Sequence, residues 1–158
     1  MRVRLPAAFV VAASAIAALP GAAHSARQDV RTIVVRSVAT KVTVAKDTPP
    51  LKTLNAGDVL GVTDTLKNVH AQFGRPAGAI VGSDRGTALQ LADGSARFTG
   101  TAVLPGGTVS ISGVLASPSS TLTVTGGTGT YQGVRGTLVV GAGDTPLNTY
   151  RLIFPITA

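Results

Sequence analysis

The sequence predicts an all-β domain, an eight-stranded antiparallel up-and-down β-barrel. Three observations carry that expectation. Thr and Val each occur 20 times and Gly 19 times while Glu is absent, a composition that few long helices share. Apolar residues alternate with Thr, Ser or Arg at a period of two through much of the chain. Turn chemistry interrupts these stretches at short intervals.

The amino terminus has a different character. Arg2 and Arg4 form a short basic region, Leu5 to Leu19 is apolar and Ala-rich, and Pro20-Gly21 breaks the run. Ala23-His24-Ser25 then supplies small residues at the positions an export peptidase reads. Residues 1–25 are therefore expected to be a signal peptide cleaved after Ser25, with cleavage after Ala23 nearly as good, which makes the protein secreted. An uncleaved anchor is the alternative, but the apolar run is shorter than the ~18 residues a spanning helix needs. Residues 26–158, about the usual size of one domain, form a single barrel domain in this reading.

Within it, strands are expected at about 30–45, 58–65, 78–91, 95–104, 108–116, 120–126, 130–140 and 148–156. Leu122 and Val124 alternate with Thr121, Thr123 and Thr125; Val109 and Ile111 alternate with Thr108, Ser110 and Ser112. Ala96, Phe98, Ala102 and Leu104 share a face opposite Arg97, Thr99 and Thr101, and Tyr150, Leu152, Phe154 and Ile156 share another. Asp47-Thr48-Pro49-Pro50, Asn55-Ala56-Gly57, Asp93-Gly94, Pro105-Gly106-Gly107, Ser117-Pro118-Ser119 and Gly143-Asp144 supply the turns. Short links join antiparallel neighbours, and closing eight of them removes exposed edges. A two-sheet sandwich is the runner-up. Lys67 to Pro76 is long enough for a loop with a helical turn.

Composition also excludes chemistry. Without Cys there is no disulfide framework, thiolate metal site or thiol nucleophile. Without Glu, paired-carboxylate chemistry rests on seven Asp residues. His70 is the one histidine beyond the signal, so no His-based triad or metal site is expected. Arg31, Arg36, Lys41 and Lys46 recur every five residues, a spacing that alternates faces on a strand and so forms no single patch. No nucleic-acid partner is expected, because clustered charge with interleaved aromatics is missing. A weak attraction of this basic region to an anionic cell surface is the expectation instead.

The most conspicuous motif is Thr125-Gly126-Gly127-Thr128-Gly129-Thr130-Tyr131-Gln132-Gly133-Val134-Arg135-Gly136. It lacks the Lys-Ser or Lys-Thr and the helix of a phosphate loop, and its glycines suit a tight strand-to-strand connection. It resembles the GGTGxF…ARG signature of dirigent proteins and the matching segment of allene oxide cyclases. Ala56 to Leu66 is similar to the strand that both families place earlier, and Val81 to Gly86 to the VGxxxG that follows. Arg97 to Thr101 and Gly107 to Gly113 resemble their next hairpin, and Asn148 to Pro155 their closing strand. The order is kept over roughly 56–156.

The resemblance implies an allene oxide cyclase-like/dirigent-like barrel, commonly a homotrimer, with an apolar cavity for a small lipophilic or phenolic ligand. It implies a cofactor-independent isomerase or cyclase, or a barrel that guides coupling. Arg135 matches the arginine thought to handle the reacting oxygen, and Asp64 occupies the place of a pocket Asn. Thr130 stands where dirigents carry an Asp, and no match to the cyclases' first-strand Glu and Asn is found. Asp84 aligns within the pocket, and the cyclases' pocket Cys falls on Ala88. Catalytic candidates are thus Arg135 for an oxyanion, Asp64 for proton transfer and Tyr131 for its hydroxyl; ligand-binding candidates are Asp84, Tyr150 and Ala88. Arg135 and Asp64 read equally well as a structural ion pair, and Tyr150 as core. A non-catalytic extracellular binding or structural barrel is the second functional expectation.

Overall fold

The computed structural model describes residues 29–142 and 146–155. The signal-peptide expectation, the Gly143-Asp144 turn and the end of the last predicted strand lie outside these residues. Eight strands follow in order: β1 (Asp29–Lys46), β2 (Val59–Asn68), β3 (Ile80–Gln90), β4 (Ala96–Leu104), β5 (Gly107–Leu115), β6 (Ser120–Gly129), β7 (Arg135–Val140) and β8 (Leu147–Phe154). Each pairs antiparallel with the next, and β8 closes on β1. The barrel, not the sandwich, is the architecture, because β1 bonds both β2 and β8 and leaves no edge.

The period-two alternation sets which side chains fill the barrel. Ile33 and Val35 of β1, Leu66 of β2, Val109 and Ile111 of β5, Leu122 and Val124 of β6, Leu138 of β7, and Tyr150 and Leu152 of β8 form one buried cluster. Fully burying one such aliphatic side chain stabilises the fold by about 1.5–3 kcal/mol. Phe98 of β4 also turns inward, and glycines make room for it. A Cβ at Gly86 would stand 2.5 Å from its ring, and one at Gly100 2.7 Å away.

Three segments depart from the sequence expectations. The first is β1, whose register shifts between Ala39 and Lys41. Arg36, lying between the buried Val35 and Ser37, is exposed. Beyond the shift Lys41 and Thr43 border an outer groove shared with Thr63 and Arg85. The bulge thus changes the phase and brings Arg36 and Lys41 to the same outer face, which uninterrupted alternation had separated.

The second is the 69–79 connection, which has no helical turn. It folds back through a Gln72–Arg75 bridge with Phe73 at φ 56°. Asn68 holds it by donating to the carbonyls of Gln72 (3.0 Å) and Arg75 (3.1 Å).

The third is the Gly-rich run. β6 continues to Gly129, and the turn proper is Thr130 to Val134, so β7 starts at Arg135 and not at Thr130. Gly133 takes φ 73°, a left-handed angle that other residues rarely adopt.

These connections divide the barrel into two ends. The turns after β2, β4 and β6 meet at one end, where Phe73 and Phe154 pack onto the buried cluster, of which Tyr131 is a member. The carboxyl ends of β1, β3, β5 and β7 lie at the other.

Candidate functional site

A cavity of about 200 Å³ lies inside the barrel. Ser37 of β1, Asp64 of β2, Asp84 of β3 and Asn148 of β8 line it, and these four strands are consecutive around the barrel. The wall contributed by β4 to β7 is mainly apolar, with Phe98, Ile111, Leu122 and Leu138 beside Thr101. The cavity therefore has one polar and one apolar side.

Local sequence produces the polar side. Ser37 is the inward position that follows Ile33 and Val35 on β1, and Asn148 precedes Tyr150 and Leu152 on the inner face of β8. Asp64 and Asp84 are register partners on β2 and β3. Directly opposed residues have Cβ atoms about 4.5–5.5 Å apart, and like charges so placed repel.

The electrostatics follow from that placement. Ser37 Oγ donates to Asp64 Oδ2 at 2.5 Å. Burial pushes the Asp84 carboxyl up to about 7, and the Asp64 charge adds to the shift. Burial raises the Tyr150 phenol as well, with the charges of Asp84 and Asp64 contributing, so it remains a neutral hydroxyl. Asp64 Oδ1, Asn148 Oδ1 and Tyr150 OH are all buried without a hydrogen-bond partner. Unpaired buried polar atoms are uncommon in native folds; Asp64 and Asn148 bring theirs to the cavity lining, and the Tyr150 hydroxyl lies close enough to feel the charges of both aspartates.

Of the predicted site residues, the structure brings together Asp64, Asp84 and Tyr150. Ala88 is buried and inward, in register with Leu60 and Phe98, but does not line the cavity.

Arg135 requires a correction. It is exposed, because Gly136, Leu138 and Val140 take the inward phase of β7 and leave Arg135, Thr137 and Val139 outward. Its Nη1 donates to the Val134 carbonyl at 2.9 Å. It forms no ion pair with Asp64; among the described residues the ion pair is Arg31–Asp29.

Tyr131 is likewise away from the cavity. Its hydroxyl donates to the Pro105 carbonyl at 3.1 Å, and its ring lies 6.3 Å from Phe154 between centroids. Burial raises its phenol, against the opposing charge of Arg31. Its role is to tie the β6–β7 turn to the β4–β5 turn. Sequence reasoning missed Ser37 and Asn148. Their signal was a polar residue in phase with the apolar face of its strand.

Several solved structures share this architecture. Pyocyanin demethylase superposes with a TM-score of 0.63 at 21% identity, covering 77% of this chain and 99% of that one. The pterocarpan synthase dirigent protein PsPTS1 gives 0.64 at 17% identity, over 84% of this chain and 98% of that one. The Diels–Alderase AbmU from Streptomyces koyangensis gives 0.56 at 15% identity, over 86% and 73%. No protein-family model and no curated protein matches the sequence. At these identities the likeness is one of fold: the chain has the allene oxide cyclase-like/dirigent-like barrel fold.

Proposed function

We propose that the protein takes a small lipophilic or phenolic molecule into its barrel and moves a proton within it, guiding an isomerisation or cyclisation. One observation carries the reading: two carboxylates opposed across β2 and β3, facing an apolar wall, with Asp84 held near 7. A general acid or base is most effective when it titrates near the working pH. At neutral pH Asp84 is then partly protonated and can deliver a proton to one atom of the bound molecule, while Asp64 accepts one from another. Tyr150 and Asn148 would orient a phenolic or carbonyl oxygen. These residues supply acid, base and hydrogen bonds without calling on a cofactor.

The cavity volume limits the ligand. Apolar cavities of about 150 Å³ hold benzene, so about 200 Å³ suits a single-ring body. Fold likeness to a dirigent protein and a Diels–Alderase supports a barrel that guides coupling or cyclisation.

The test uses phenol and p-cresol as binding probes and 3-cyclohexenone as a reactant. Its isomerisation to 2-cyclohexenone removes a proton from the carbon between carbonyl and alkene and returns one at the γ carbon. The expected result is binding of the phenols and an accelerated isomerisation that falls roughly 10²-fold or more in Asp64→Asn and Asp84→Asn. Absence of binding, or rates that survive both substitutions, would overturn the reading.

A non-catalytic binding barrel is the second reading, favoured by the outward position of Arg135. Binding of phenols with no turnover in any variant would select it. We also read residues 1–25 as an export signal, which the amino-terminal sequence of the exported protein tests. We also propose that the protein forms a homotrimer, which light scattering in solution tests.

A further inference from the structure

We infer that the molecule bound in the barrel carries a protonated nitrogen: a single-ring-sized apolar body with an ammonium group. This narrows the substrate class of the site just proposed and rests on that reading.

The inference comes from the donors and acceptors left over in the cavity. Asp64 Oδ1 and Asn148 Oδ1 are buried acceptors without donors, and Tyr150 OH can accept as well as donate. Ser37 already donates to the other Asp64 oxygen. Asn148 is 4% exposed and Tyr150 fully buried. The donors on this side are the Tyr150 hydroxyl, the Asn148 amide and the Asp84 carboxyl when protonated, and none of them is a cation.

Charge points the same way. No Lys or Arg lines the cavity. A buried carboxylate is normally matched by a cation, because an unpaired buried charge is strongly destabilising. Here two carboxylates oppose each other and the nearest opposing wall is hydrocarbon. An ammonium has three donors and no acceptor, which complements Asp64 Oδ1 and Asn148 Oδ1 on the cavity lining. A neutral phenol or alcohol supplies one donor and leaves the charge unmatched. The apolar wall of Phe98, Ile111, Leu122 and Leu138 receives the ring, and the Phe98 face itself attracts a cation.

Proton linkage provides a further readout. Asp84 is faced by Ser37 from β1, Asp64 from β2, Phe98 from β4, apolar side chains from β5 to β7, and Asn148 and Tyr150 from β8. Asp64 and Tyr150 are the titratable members, and neither is a cation. Ionisation of Asp84 therefore adds a second negative charge to the cavity and strengthens its hold on an ammonium.

The experiment compares benzylamine with benzyl alcohol, matched in shape, by calorimetry from pH 5.5 to 8.5. The amine stays mainly protonated throughout, although the ring makes it a weaker base than a Lys amine. Benzylamine is expected to bind about tenfold or more tightly than the alcohol at pH 8.5, with the advantage shrinking at pH 5.5. Asp64→Asn should abolish most of the preference. Asp84→Asn, which keeps Asp64, should retain a preference but lose its pH dependence; this variant carries the test if Asp64→Asn does not fold. Equal binding, tighter binding of the alcohol, or an unchanged pH-dependent preference in Asp84→Asn overturns the inference. If phenol binds and benzylamine does not, the inference fails while the proposed function stands. If no probe binds, both fail.

Discussion

Asp64 and Asp84 stand directly opposite one another on β2 and β3, both lining the barrel cavity. In an all-β domain without Glu, these are the two carboxylates that the topology delivers to one interior surface. Burial raises the Asp84 carboxyl, and the Asp64 charge opposite adds to the shift. A pair of this kind can hold one proton and offer another acceptor beside it.

The first expectation concerns stability against pH. The unfolded Asp84 carboxyl releases its proton near 3.9, whereas the folded one does so at about 7. Between those values the folded state binds one more proton than the unfolded state, so this contribution weakens the fold as pH rises across the window. Asp84→Asn removes it. At pH 8 the variant is expected to be more stable than wild type, by up to about 4 kcal/mol, with the gap closing toward pH 4. Denaturant melts at several pH values check this, and a gap that widens on acidification contradicts it.

Tyr150→Phe tests the unpartnered hydroxyl. Burying a hydroxyl without a partner costs about 1–3 kcal/mol, so removing it should raise stability by about 1 kcal/mol. Phenol affinity should fall in the same variant. Loss of stability with unchanged binding would assign Tyr150 to the core alone.

Ser37→Ala removes the hydroxyl that donates to Asp64. A hydrogen bond to a charged group contributes about 1.5–3 kcal/mol, and a loss of that size is expected at pH 8. Thermal or urea unfolding measures it. A loss below about 0.5 kcal/mol would mean the bond does not form.

Arg135→Ala is expected to leave phenol affinity and isomerisation unchanged, since the side chain is exposed on the outer face. A tenfold loss of either would return Arg135 to the site.

Much of this architecture was legible in the chain. Ser110, Ile111 and Ser112, or Thr121 to Thr125, declare inner and outer faces by alternation, and Asp93-Gly94 fixes a tight β3–β4 turn. The limits have physical causes. Facing of Asp64 and Asp84 depends on the β2–β3 register, and the 69–79 connection is too long to set register as a two-residue turn does. Arg135 was placed in the site by resemblance alone, and the phase of β7 after the turn at Thr130 to Val134 carries Leu138 inward and leaves Arg135 outside. The bulge after Ala39 likewise sets the phase at Lys41. Ser37 and Asn148 were visible only as polar interruptions of an apolar face, whose meaning came from the strands beside them.

The most direct measurement is a carbon-detected NMR titration of the Asp84 carboxyl, in wild type and in Asp64→Asn. The expected wild-type midpoint is near 7, moving down in Asp64→Asn while staying above 3.9 because burial remains. A wild-type midpoint near 3.9, or one that Asp64→Asn does not move, would contradict the paired-carboxylate site.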